Sequence, residues 1–330
     1  MSDMSPKTPS LERQKNAFQS ELLRRVSVAS EDFPTVRCWS SHKLRSLLGG
    51  LRSSLLDQRV VTSSFPRTDG ILAWLSDAGL VHPLSVEPGA TAKAEDTFYL
   101  VEVSSGPQST VSPFELLQAF QPQGIISFFS ALAFHSLTTQ TPPFHHSVAL
   151  TPRPPAIPRE RAAPEIETAS MPAGSATRRD SLGSHAFTYA GTRYFSTKRF
   201  RDLVPGVQMQ ILDPRIHLRV TDIEQTLLDT LMNPEASGGQ SVIFEAWEQG
   251  LGRARPERMA GYVETIALPV LTRRLGALLN LTGATTPAPV RAVLEQTRHL
   301  LAADSAPQVP LFRGQPGTRL DPEWNVLTPA

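Results

Sequence analysis

Residues 151 to 184, TPRPPAIPRERAAPEIETASMPAGSATRRDSLGS, constrain the fold more than any other stretch of the chain. Prolines recur there with few aliphatic residues and with neither a helical nor a strand period, so the segment offers no face to a core. It predicts a flexible insertion, and the folded parts must be built on either side of it. At 330 residues, 40% hydrophobic and with a formal net charge of +1, the chain has enough apolar side chain for one large core or two modest ones.

Ahead of the insertion, Phe18, Leu22 and Val26 recur four residues apart and predict an amphipathic helix over Leu11 to Val26. SHKLRSLLGGLRSSLLDQ carries a second stripe, Leu44, Leu47, Leu48, Leu51 and Leu55. Its adjacent glycines, Gly49 and Gly50, cost about 2 kcal/mol of helix propensity and leave open one helix or two short ones. SSFPRTDGILAWLSDAGL has Pro66 near a first helical position, an apolar face of Ile71, Leu72, Leu75 and Ala78, and Gly79 at its stop. An extended run over Leu80 to Val86, a loop EPGATAKAED and the strand TFYLVEV follow.

Helix, helix and two-stranded hairpin is the order of a winged helix-turn-helix domain, here assigned to residues 1–110. Such a domain lays the helix before its wing into the major groove of double-stranded DNA, whose edges distinguish base pairs. From Arg37 to Arg67, six cations stand against Asp57 alone. The candidate DNA-binding residues are Lys43, Arg45, Arg52, Arg59, Ser63, Ser64, Arg67 and Thr68. A solvated helix face is the competing reading of the same charges. The wing region is acidic, with Asp69, Asp77, Glu87, Glu95, Asp96 and Glu102.

Residues 111–330 predict a mixed domain with a small, mostly antiparallel sheet and several helices, so the fold class expected is α+β. Ser112, Pro113 and Glu115 occupy the cap, first and third positions of a capping box. Phe128, Phe129, Leu132 and His135 share a helical spacing, and His135 reads as a packed histidine because no second donor lies one turn away. HHSVAL reads as a strand with His145 and His146 on opposite faces. Beyond the insertion, AFTYAGTRYFSTKRF, GVQMQIL and IHLRV predict paired strands. Arg193, Lys198, Arg199 and Arg201 form a second basic patch, read either as phosphate contacts or as a solubilising strand edge.

In VTDIEQTLLDTLMNPEASGG, Thr221 and Glu224 fit a capping box, Asp222 suits a helix start, and Ile223, Leu227, Leu228 and Leu231 face a core. Asn233 and Pro234 stop that helix. A second starts after Gly238 and Gly239, with Val242, Ile243, Ala246, Trp247 and Leu251 inward.

The phrase built from Val220, Thr221, Asp222, Glu224, Thr226, Leu227, Leu228, Asp229, Pro234, Gly238 and Gly239 resembles the AbiEi-like antitoxins of bacterial type IV toxin-antitoxin (abortive infection, phage defence) systems. GIISFFSALAFHSL and the closing LDPEWNVLTP, with Trp324, are similar to the same family, over roughly residues 113 to 330. Gln225 departs from the pattern, standing where the family carries arginine or lysine. The resemblance implies an antitoxin that is also an autoregulatory transcriptional repressor. It would bind its own operator at inverted repeats and counter a nucleotidyltransferase-like toxin without a stable complex.

An enzymatic reading would start from Asp222, Glu224 and Asp229, since clustered carboxylates hold magnesium. Helical spacing turns Glu224 away from the other two, and no phosphate-cradling loop or activated nucleophile stands elsewhere. No catalytic residue, metal or cofactor is therefore expected. Cys38 is the single cysteine and reads as a small core hydrophobe in a reducing cytoplasm. No membrane association is expected either, since the longest apolar run, near Gly124 to Phe134, is too short to span a bilayer. The reading from another class is a protein-docking adaptor that neutralises a partner toxin by direct binding.

Overall fold

A computed structural model describes residues 10–89, 97–102, 110–153, 182–302, 307–315 and 317–329. Most of the expected insertion, and with it the wing residues Glu95 and Asp96, lies outside these described residues. The chain is α+β and divides into two compact units. The first takes Met1–Ile126, His185–Tyr194 and Met209–Val220; the second takes Ser127–Ser184, Phe195–Gln208 and Thr221–Ala330. The boundary expected at residue 110 therefore falls inside the first unit.

The first unit begins with α1 (Leu11–Arg25), capped by the Ser10 hydroxyl, and buries Phe18 and Leu22. A short strand β1 (Cys38–Ser40) leads into α2 (Ser41–Asp57), which is one helix through both glycines. Leu44, Leu48, Leu51 and Leu55 are all buried on it. At about 1.5–3 kcal/mol each, those burials outweigh the glycine cost. α3 (Thr68–Asp77) packs Ile71, Leu72 and Leu75 into the same core, against Phe18 and Phe65. Strands β2 (Val81–Ser85), β3 (Glu87–Pro88) and β4 (Thr97–Val101) follow. β4 lies antiparallel between β1 and β2, with Trp39 opposite Tyr99 and Pro83 opposite Tyr99. Cys38 is buried in this sheet, as expected of a core thiol.

α4 (Pro113–Phe120) and β5 (Ile125–Ile126) belong to this unit, with Leu116, Leu117 and Ala119 of α4 buried. Ser112 caps α4 through Phe114 N–H and Glu115 N–H, but Glu115 does not reach back to complete a box. Its buried carboxylate accepts a two-pronged bond from Arg37, at 2.9 and 2.8 Å.

In the second unit, α5 (Phe129–Phe134) precedes β6 (Phe144–Thr151). The hairpin strands β7 (Ser184–Tyr189) and β8 (Thr192–Phe200), and then β9 (Val207–Asp213) and β10 (Ile216–Thr221), each pass from one unit into the other. The parts of β7 and β10 in the first unit pair there with β3 and, in parallel, with β5. Arg215, between β9 and β10, donates to the carbonyls of Val26, Val36 and Val101 and so ties that hairpin into the first unit's core.

α6 (Ile223–Met232) is buried along nearly all of its length, with Leu227, Leu228 and Leu231 wholly enclosed. Against it pack α7 (Gln240–Gly250), α8 (Pro256–Ile266) and α9 (Pro269–Thr282), and α10 (Ala288–Ala302) packs on α8 and α9. Three short strands, β11 (Val309–Pro310), β12 (Arg319–Asp321) and β13 (Val326–Thr328), close the unit in the order β11-β13-β12. Two adjacent arginines of α9 hold this end. Arg273 donates to the carbonyls of Pro307, Trp324 and Asn325, and Arg274 to those of Leu231 and Pro310. Burial pushes the Arg274 guanidinium down to about 10, still protonated at neutral pH.

Candidate functional site

The segment from α2 to α3 sorts the expected DNA contacts into two groups. Arg52 points inward, its guanidinium donating to the carbonyls of Ser63, Phe65 and Pro66 at 3.0–3.1 Å. It stitches the connection between the helices, and Arg37 is likewise spent on Glu115. The other group faces outward. Arg59, in a left-handed conformation at φ 59°, and Arg67, just ahead of α3, are exposed, as are Ser63 and Ser64. Lys43 and Thr68 are half-exposed. Exposed Arg45 is paired with Asp69 on α3, a surface contact worth about 0–1 kcal/mol and cheaply exchanged for another anion.

The outward residues of α3 are Asp69, Gly70, Ala73 and Asp77. The helix carries two carboxylates there and no cation, so a polyanion would be held from its first turn and from the flanking loop rather than along its length.

The residues of the second basic patch divide between the two units, and one of them turns inward. Arg193 is exposed in the first unit, whereas Lys198 and Arg201 are exposed in the second. Arg199 turns inward and binds the fully buried Asp229 at 2.7 Å, and Leu203 O at 3.2 Å. A carboxylate taken out of water needs a cation beside it, which is why this arginine leaves the surface. Gln225 donates to the same oxygen, Asp229 Oδ1, at 2.8 Å, while Oδ2 has no partner. Burial raises the Asp229 pKa, and Arg199 opposes that rise.

At the start of α6 the cap is Asp222, not Thr221: Asp222 Oδ1 accepts from Gln225 N–H at 2.9 Å. Its Oδ2 accepts from Tyr262 at 2.6 Å and from Arg258 at 3.3 Å. Glu224 accepts from Arg255 N–H at 2.6 Å instead of returning to a capping box, because its side chain is drawn toward the start of α8. Thr221 and Thr226 share a hydroxyl bond at 2.8 Å. The turn after α6 needs its glycines. Gly238 and Gly239 sit at φ 90° and 84°, and a Cβ on Gly238 would stand 2.7 Å from the Phe129 ring. Pro234 O accepts from Gly239 N–H.

Each of Asp222, Glu224 and Asp229 is thus committed to a bond within the fold. Among the described residues, no group of three or more His, Cys, Asp or Glu is placed to hold a metal ion. Arg258 and Tyr262, spaced four apart on α8, were not singled out in the sequence, although that spacing puts them on one face. A recess of about 670 Å³ beside α7, lined by Phe244, Trp247 and Leu251 together with Glu248, Thr282 and Thr285, holds no unpartnered buried polar atom that would fix a ligand.

Three buried histidines have structural partners. His135 Nε2 bonds Thr221 O at 2.6 Å. His145 bonds Ser130, and His146, stacked on Phe195 and edge-on to Phe128 and Phe144, bonds Leu182 O. Burial lowers both His145 and His146 from about 6.5 to about 4. With folded values below unfolded ones, their contribution to stability is present above about pH 6.5 and is lost as pH falls through about 4. A pH series of urea melts should therefore lose a few kcal/mol across that window, with neither ring titrating near 6.5 by NMR. A flat profile with normal titration would contradict their burial.

No family profile matches the sequence, and no curated protein matches it. Among solved structures, the chain is similar to the RV2827C protein from Mycobacterium tuberculosis, with a TM-score of 0.53 and 14% identity, over 96% of this chain and 91% of that one. At such identity the likeness speaks to the fold alone, and it extends along nearly the whole chain. Among the described residues, no helix is long and apolar enough to cross a membrane.

Proposed function

We propose that the protein is a DNA-binding transcriptional repressor and antitoxin, with the first unit contacting operator DNA and the second countering a nucleotidyltransferase-like toxin. What supports the DNA half is the order α1-β1-α2-α3-β2-β3-β4 with β4 between β1 and β2, which is compatible with a winged helix. α3 then enters the major groove by its first turn. Arg67 and Arg59 meet phosphate or a base edge, with Ser63, Ser64, Thr68 and Lys43 alongside. Arg45 exchanges Asp69 for a phosphate, which frees Asp69 to accept from a cytosine amino group. The antitoxin half rests on the resemblance of the α6 phrase to AbiEi-like proteins.

The two carboxylates on the outer face of α3 favour a second reading, a docking surface for a basic protein partner. Arg67→Ala separates the two. It should weaken operator binding by about 1–3 kcal/mol if the side chain reads a base, or lower the salt slope by about 1 if it meets phosphate. Expressed from a foreign promoter, the same variant should still protect cells from the companion toxin. Protection lost together with DNA binding, in a folded and abundant variant, would favour docking.

A further inference from the structure

Strand β9, Val207–Asp213, has β10 as its one strand neighbour among the described residues. Among the described residues, its other edge carries none of the usual protections against strand pairing. From Val207 to Leu212 there is no charge and no proline, in the sequence VQMQIL. Val207, Met209 and Ile211 stand 37%, 40% and 67% exposed on alternate positions, an apolar row that nothing described covers.

The pattern is symmetric about Met209. In an antiparallel pairing of two copies centred there, Val207 falls opposite the second copy's Ile211, Met209 opposite Met209, and Gln208 opposite Gln210. Apolar side chains meet apolar ones, and the amides meet amides. Charge fits as well: Asp213, the strand's one charged residue, falls opposite Pro205 of the second copy rather than opposite its own equivalent, so no like charges face each other. A centre one residue later would set Val207 against Asp213 and lose that match.

We infer that β9 is a self-association edge, through which two copies of this chain join by a two-fold strand pairing centred on Met209. Contact confined to one strand lies at the low end of the roughly 1,200–2,000 Å² buried by stable interfaces, so the association is reversible and depends on concentration.

The test is sedimentation equilibrium of the full chain without DNA, over micromolar to submillimolar concentrations. The wild-type mass should climb toward that of a dimer. M209K alone and M209E alone should each associate about tenfold or more weakly, because like charges then face each other across the axis. An equimolar mixture of the two should recover the dimer, which only a pairing that sets residue 209 against itself can produce. Since Met209 is exposed, thermal melts of both variants should match wild type. A wild type that stays monomeric throughout, a variant that dimerises as well as wild type, or a mixture that fails to recover while wild type dimerises would each overturn the inference.

Discussion

Leu227→Asp is expected to cost the second unit several kcal/mol, enough to unfold it under ordinary conditions. Leu227 is wholly enclosed on α6. On α7, Gly250 leaves so little room that even a Cβ there would stand 3.1 Å from Leu227 Cδ2, so no water can reach an introduced carboxylate. The nearest polar groups on α6 are already used: Thr226 bonds Thr221, and Thr230 bonds Leu227 O and accepts from Trp247. The new group must be buried charged and unpaired, or held neutral against its ordinary pKa. Urea melts followed by tryptophan fluorescence, in which Trp247 and Trp324 report on this unit and Trp39 and Trp74 on the other, would show the loss. Leu227→Met, which conserves volume, should cost less than about 1.5 kcal/mol. An unchanged melt for Leu227→Asp would mean that α6 is not a core helix.

Arg199→Met should cost about 3–5 kcal/mol at neutral pH, the usual penalty for leaving one member of a buried ion pair behind. Asp229 would keep only Gln225, and its second oxygen has no partner to begin with. Because burial already raises the folded pKa of Asp229, its favourable contribution is present below the unfolded value of about 3.9 and is lost as pH rises through the folded one. Removing Arg199 raises that folded value further, so the variant's deficit relative to wild type should shrink on acidification. The histidine losses occur in both proteins and cancel in this difference. Arg199→Met combined with Asp229→Asn should recover much of the stability. A variant as stable as wild type at neutral pH would return Arg199 to the surface, where its sequence context had suggested it belonged.

Arg199 shows where the sequence was legible and where it was not. Apolar periods marked α1, α2, α3 and α6 because a stripe at helical spacing has only one economical use. Strand patterns marked β9 and β10 for the same reason. Charged residues were harder to read, since a cation on a strand edge and a cation bent under that edge toward a buried carboxylate have the same local neighbours. Arg199 sits 30 positions from Asp229 and Arg37 sits 78 positions from Glu115, and no local pattern announces either pair. The same limit hid Arg52, Arg215, Arg273 and Arg274, all of which serve backbone carbonyls. At the start of α6, Thr221 and Asp222 both suit a cap, and the choice of Asp222 is made by Tyr262 and Arg258, which α8 brings from 40 and 36 positions away. Gln225, which stands where the resemblance expects a cation, binds Asp229 beside Arg199.

Among the candidate contacts, Arg59, Arg67 and Arg45 are exposed cations of the first unit, with Lys43 partly exposed beside them. The most direct test of the repressor reading is the affinity of the full chain for duplex DNA from upstream of its own reading frame, set beside a scrambled duplex and measured by fluorescence anisotropy at several salt concentrations. Three or four phosphate contacts from these cations predict that log K falls with log salt at a slope of about −3 to −4, with the upstream sequence bound at least about a thousandfold more tightly than the scrambled one. Equal affinity for the two duplexes, or binding indifferent to salt, would contradict operator recognition by the first unit.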